Sequence, residues 1–149
     1  MNLAEFVKFS SLLEDRTYLL TMVTFSSDNP QSCGILTIDK NQVVTDFEEK
    51  SSTPSSNLAN GAIYFLAPKL VNWICENEFL CDFSNDVIPK CIGKIKTWHN
   101  YGFHRDIGSK EALRRAQNDP RRSLYWKNRD NWLTKFAKNQ IHEELSAIK

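Results

Sequence analysis

The sequence predicts an α/β layered fold, a mixed β-sheet flanked by helices. Two observations carry that expectation. Apolar runs rich in β-branched and aromatic residues alternate with segments of helical periodicity, and turn chemistry separates them. At 149 residues the chain suits one compact core, which can bury roughly 70% of the unfolded surface.

The elements follow in order. Residues 2–14 place Leu3, Phe6, Val7, Phe9, Leu12 and Leu13 mostly at helical spacing, so a short amphipathic helix opens the chain. Thr17–Phe25 reads as a mostly buried strand, ended by Ser26-Ser27-Asp28-Asn29-Pro30. Gly34–Ile38 and Gln42–Phe47 are two short strands, and Asp39-Lys40-Asn41 between them predicts a hairpin. Ser51–Ser56 is a polar loop. Asn60–Leu66 is a further strand, and Pro68 opens a helix to about Glu76 with Leu70, Trp73 and Ile74 on its apolar face. Ser84 is the expected cap of a short helix through Val87 and Ile88. Extended stretches follow at Ile92–Trp98 and Tyr101–Asp106, and Ser109 with Glu111 starts a helix Lys110–Gln117. After Pro120 the composition turns basic and aromatic. Trp132, Leu133, Phe136, Ile141, Leu145 and Ile148 suit a C-terminal amphipathic helix, packed on the domain or forming a dimer contact. Residues 1–118 and 119–149 are thus the expected divisions.

Composition narrows the function classes. A net charge of +1 gives no whole-protein field toward nucleic acid or an anionic membrane, so neither is an expected partner. The cluster Arg114, Arg115, Arg121, Arg122 reads as a solvated helix face. Cys33, Cys75, Cys81 and Cys91 form no C-x-x-C pair, and no histidine stands at zinc-ligand spacing. They read as free thiols of a reducing compartment. Glu5 and Lys8 interrupt any signal-peptide core, and no apolar run approaches the roughly 18 residues of a membrane span. The expected location is the cytoplasm.

Three polar clusters fall at the ends of predicted strands, where open α/β sheets place ligands. In Phe47-Glu48-Glu49-Lys50, a carboxylate can accept from sugar hydroxyls while the ammonium neutralises a phosphate. A solvated charged turn would look the same. In Asn57-Leu58-Ala59-Asn60-Gly61-Ala62-Ile63-Tyr64, a missing side chain admits a ligand to the backbone, beside an amide that both donates and accepts. A plain loop-to-strand junction is the alternative. In His104-Arg105-Asp106-Ile107-Gly108-Ser109, the aspartate before a helix start can hold Mg²⁺ or serve as an extra capping acid.

Taken in order, five motifs are together more specific than any one of them. These are Ser32-Cys33-Gly34-Ile35, Val43-Val44-x-x-Phe47-x-Glu49-Lys50 and Asn57-x-x-Asn60-Gly61-Ala62-Ile63-Tyr64, then Asp82-Phe83-Ser84-x-Asp86-Val87-Ile88-Pro89 and Asp106-Ile107-Gly108-Ser109-x-Glu111-Ala112-Leu113-x-x-Ala116-Gln117. The series resembles the second, sugar-phosphate-binding half of the sugar-1-phosphate nucleotidyltransferases. Within them it is most like bacterial mannose- or heptose-1-phosphate guanylyltransferases. The likeness spans roughly residues 3–118.

The resemblance implies a partial Rossmann-like nucleotidyltransferase fold and a reaction in which the sugar-1-phosphate attacks the α-phosphorus of a nucleoside triphosphate. Positioning and charge neutralisation dominate such transfers. It implies that Lys50 contacts the sugar's phosphate, that Glu49 accepts from sugar hydroxyls, and that Gly34, Asn60 and Gly61 line the sugar pocket. It also implies that Asp106 is one of two aspartates holding a catalytic Mg²⁺, and that GTP is the donor. Ser109 stands where the family usually has threonine, and His104 where it often has an aromatic.

The family's glycine-rich G-G-x-G-T-R-L loop, which cradles the triphosphate, has no counterpart among the five glycines, nor has the other aspartate. The expectation is therefore a truncated or split enzyme, weakly active or inactive alone, that needs a complementing chain or forms a homodimer. A non-catalytic sugar-phosphate-binding or oligomerisation module is the alternative. Missing strands would also leave an exposed sheet edge.

Overall fold

A computed structural model describes residues 3–12, 17–105 and 107–119. The chain divides into two units, Met1–Gln117 and Asn118–Lys149. Asp106, and the expected helix after Pro120, lie outside the described residues.

Among the described residues, four α-helices and five strands run in the order α1 (Leu3–Leu12), β1 (Leu20–Ser26), β2 (Gly34–Ile38), β3 (Val44–Glu49), β4 (Leu58–Leu66), α2 (Pro68–Glu76), α3 (Ile88–Cys91), β5 (Ile95–His99) and α4 (Lys110–Asn118). The sheet order is β3-β2-β4-β1-β5, with β1 parallel to β5 and every other pairing antiparallel. This is the mixed α/β sheet that the alternation of elements predicts. β1 lies inside the sheet between β4 and β5, and all its residues but Ser26 are buried, the polar Thr21 and Thr24 included.

Two cores form, one on each side of the sheet. Leu20, Met22, Leu36, Val44 and Ile95 pack with Leu70, Val87, Ile88 and Cys91, from α2, α3 and the turn before α3. Phe25, Ile35 and Ala59 form the smaller second core with Cys33. Alternation along each strand makes the division: Met22 and Thr24 face one way, Val23 and Phe25 the other. α1 seats Phe6 against Trp98, with ring centroids 5.8 Å apart.

The hairpin forms as the Asp39-Lys40-Asn41 signal predicts, since Asp39 Oδ1 accepts from the backbone N–H groups of Asn41 and Val43, each at 2.8 Å. Its tip also reaches β5. Val43 bridges Lys96, and the Thr97 backbone donates to the Gln42 carbonyl at 2.9 Å. The outer edge of β5 is thus occupied over its middle.

Three local expectations need correction. The N-cap ahead of α3 is Asp82, whose side chain accepts from the Asn85 backbone, and a π-helical turn Phe83–Val87 precedes the helix. Asp86 answers by accepting from the N–H groups of Cys81 and Asp82, a reciprocal arrangement that leaves Ser84 inside the turn. Residues 101–105 form no strand, because Asn100 exchanges hydrogen bonds with the backbone of Gly102 and holds a tight turn. β1 begins at Leu20, three residues after Thr17.

Candidate functional site

Strand pairing assembles the candidate residues. Glu49 on β3 pairs with Gly34 on β2. Ile35 pairs with Ala59, so one step along that antiparallel register sets Gly34 beside Asn60 on β4. Asn60 pairs with Thr24 on β1, and Thr24 with His99 on β5. One transverse row, Glu49–Gly34–Asn60–Thr24–His99, therefore crosses all five strands, with its side chains on a common face. It lies at the carboxyl ends of the parallel strands β1 and β5, where sheets of this class bind ligands.

Gly34 is the gap in the row. A Cβ there would stand 2.6 Å from two ring carbons of Phe47 and 2.7 Å from Glu49 Oε2. The missing side chain thus lets the Phe47 ring and the Glu49 carboxylate lie over the strand. Lys50 follows in a left-handed backbone conformation (φ 48°) and donates its N–H to the Cys33 carbonyl at 3.1 Å. Its ammonium is 3.8 Å from Glu49 Oε1 and its side chain is 69% exposed. So open a pair holds the ammonium weakly and leaves it available to an anion.

On β4 the register against β1 slips between Met22 and Thr24, so Val23 faces the bulge Gly61–Ile63. A Cβ at Gly61 would meet the Val23 carbonyl at 2.9 Å, and Ala62 takes a left-handed conformation (φ 53°). Within this bulge Asn60 Oδ1 accepts from the Ala62 N–H at 2.9 Å, and Asn60 Nδ2 donates to the Tyr64 hydroxyl at 2.8 Å. The Tyr64 ring lies against Phe83, with centroids 4.6 Å apart. Burial raises the phenol above its ordinary pKa; the Asn60 hydrogen bond opposes this, and the nearby Glu49 and Asp82 carboxylates reinforce it.

The structure therefore brings Gly34, Glu49, Lys50, Asn60 and Gly61 into one neighbourhood, and adds Tyr64, Asp82 and Phe83. Of these three, the sequence carried Tyr64 and the Asp82-Phe83 pair inside quoted motifs without assigning them work. At the far end of the row, Thr24 Oγ1 and His99 Nδ1 lie 3.1 Å apart. Burial lowers the His99 pKa and favours the neutral ring.

A cleft of about 450 Å³ lies on the other face of the sheet, the Phe25 side, lined in part by Phe25, Ser27, Cys33, His104, Arg105 and Ser109. Cys33, next to Gly34 and bonded to the Lys50 backbone, joins the two regions. His104 stacks on Phe25 at 4.3 Å, and Arg105 pairs with Asp28 at 3.3 Å. Ser109 caps α4 by accepting from the Ala112 N–H at 3.1 Å. Among the described residues no group of three or more His, Cys, Asp or Glu is placed to hold a metal ion.

Sequence comparison is decisive for the family: residues 1–123 match the family described as nucleotidyl transferase. The chain is a member of the nucleotidyl transferase family. It is 33% identical over 82 residues to a glucose-1-phosphate adenylyltransferase of Lachnospira eligens, covering 51% of this chain and 19% of that protein. It is 28% identical over 128 residues to the Bacillus cytotoxicus enzyme of the same name, covering 76% of this chain and 33% of that protein. The nucleotidyl transferase fold is shared with a solved Bacillus anthracis protein described as a glucose-1-phosphate thymidylyltransferase. That likeness has a TM-score of 0.64 and 21% identity, over 82% of this chain and 51% of the other. The chain thus spans about a fifth to a third of these two curated relatives and about half of the solved one.

Proposed function

We propose that this chain forms the acceptor side of a sugar-1-phosphate nucleotidyltransferase, the C-terminal half of its catalytic domain. The observation that carries the reading is the row Glu49–Gly34–Asn60, with the exposed Lys50 ammonium beside it. A sugar lying across the row meets a carboxylate that accepts from its hydroxyls and an amide that both donates and accepts. Lys50 meets the phosphate as a point charge and holds one of its oxygens toward the α-phosphorus of the donor. Gly61 keeps β4 close against β1 under the pocket. Catalytic weight falls on Lys50 and on Asp106, the residue assigned to Mg²⁺ by its motif.

The 149 residues contain no glycine-rich loop, so in this reading the grip on the triphosphate comes from residues outside this sequence. Losing even one preorganised donor typically costs about 10²–10³ in rate, and the chain alone is expected to be weakly active or inactive. The motifs favour a mannose- or heptose-1-phosphate and GTP, whereas the relatives named above carry glucose-1-phosphate, adenylyl or thymidylyl in their names. The four free cysteines support a reducing compartment such as the cytoplasm.

Calorimetry of the purified chain with mannose-, heptose- and glucose-1-phosphate, and separately with GTP, ATP and dTTP with and without Mg²⁺, tests this. The expected result is binding of a sugar phosphate that Lys50→Ala abolishes, with no response to any triphosphate. Tight magnesium-dependent triphosphate binding would overturn the division of labour. A folded sample silent toward every sugar phosphate would leave a scaffold or oligomerisation module as the better account.

A further inference from the structure

Resting on the acceptor-side reading, we infer that Tyr64 and the backbone of Ala62 clamp the Asn60 carboxamide in one orientation, making Tyr64 a positioning residue that acts through Asn60. A free carboxamide has two orientations of similar energy related by a half-turn, which exchange its donor and acceptor edges. Here the Ala62 N–H can meet only the oxygen, at 2.9 Å, and Asn60 Nδ2 donates to Tyr64 Oη at 2.8 Å. The flipped amide would put N–H against N–H at Ala62 and lose that hydrogen bond.

Both anchors are themselves fixed. The left-handed backbone of Ala62 (φ 53°) aims its N–H back at Asn60. The Tyr64 ring is held by Phe83 at 4.6 Å and packs against the main core. After the clamp is satisfied, Asn60 keeps one N–H and one oxygen lone pair. A group that donates and accepts at once, a hydroxyl, satisfies that pair. A deoxy position leaves both unmet, and an epimeric hydroxyl points elsewhere. Asn60, once locked, discriminates the sugar at one hydroxyl position, beside the Glu49 carboxylate that shares its row.

The test is a double-mutant cycle on sugar-phosphate affinity with wild type, Asn60→Ala, Tyr64→Phe and the double variant, using whichever of mannose-, heptose- or glucose-1-phosphate binds. Tyr64→Phe keeps the ring against Phe83 and removes only the hydroxyl. The inference expects it to weaken binding about three- to tenfold, the worth of one neutral hydrogen bond. It expects little further loss in the Asn60→Ala background, and reduced preference between epimers. Equal losses in both backgrounds would mean that Tyr64 acts independently of Asn60, and would overturn the clamp while leaving the acceptor reading intact. If wild type binds no sugar phosphate, the reading fails and this inference with it. A measurement on the unaltered chain stands beside the cycle: the Asn60 side-chain NH₂ resonances should be resolved and slowed in hydrogen exchange. A freely exchanging Asn60 amide would also overturn the clamp.

Discussion

Replacing Gly34 by alanine tests whether the gap in the polar row is a packing requirement. The added Cβ would lie 2.6 Å from Phe47 Cε2 and Cζ and 2.7 Å from Glu49 Oε2, far inside ordinary contact. All three atoms belong to side chains, so the strand need not break, but each side chain must move. Glu49 is 22% exposed and can swing outward cheaply. Phe47 packs against the main core and cannot. Overpacking of this kind costs about 1–3 kcal/mol, and the mobility of Glu49 argues for the lower part, about 1–2 kcal/mol. Urea unfolding would read this as a fall in midpoint of roughly 0.5–1 M with unchanged slope, taking a slope of about 2 kcal/mol/M. Adding Phe47→Leu should restore part of the loss by vacating the ring's space. A midpoint unchanged in Gly34→Ala, or a loss that Phe47→Leu deepens, would refute the argument.

Gly61→Ala should cost more, about 2–3 kcal/mol by the same unfolding assay, because its Cβ would meet the main-chain carbonyl of Val23 at 2.9 Å, which cannot rotate away. Ala62→Gly should instead stabilise by about 0.5 kcal/mol: it relieves roughly 1–2 kcal/mol of left-handed strain and returns about 0.4–1 kcal/mol to the unfolded chain's entropy. For His99, burial depresses the folded pKa, so the unfolded chain binds its proton first; stability present above about pH 6.5 falls as pH drops through that value toward the folded pKa. His99→Gln should flatten this part of a melting-temperature profile between about pH 5 and 7.

The parts of the fold that were legible from sequence are those set by neighbours in the chain. Pro68 and the Leu70-Trp73-Ile74 stripe define α2 from end to end, and Asp39 organises the hairpin with bonds two and four residues long. The misread turn at Ser84 is a contest between two good caps, settled by Asp86 reaching back to the Cys81 and Asp82 backbones. Tyr101 and Phe103 carried a strand signal through β-propensity, which measures fit to a half-buried pleat; both are exposed, so the premise was absent. At the site, the types Glu49, Lys50 and Asn60 could be picked out by chemistry. Their alignment in a row could not, because it depends on pairing among strands far apart in sequence. Nor does any local signal announce the bulge that turns the Ala62 N–H toward Asn60.

The order of strands also has a consequence in time. β1 lies inside the sheet between β4 and β5, yet its parallel neighbour arrives late: the Thr24–His99 contact joins residues 75 positions apart. A ribosome adding about 5–20 residues per second needs roughly 4–15 s to cover that interval. Until β5 emerges, β1 has β4 along one edge and no strand along the other. The nascent chain is thus most prone to self-association just before β5 emerges, and slowing synthesis between β4 and β5 should lower the soluble yield without altering the finished protein.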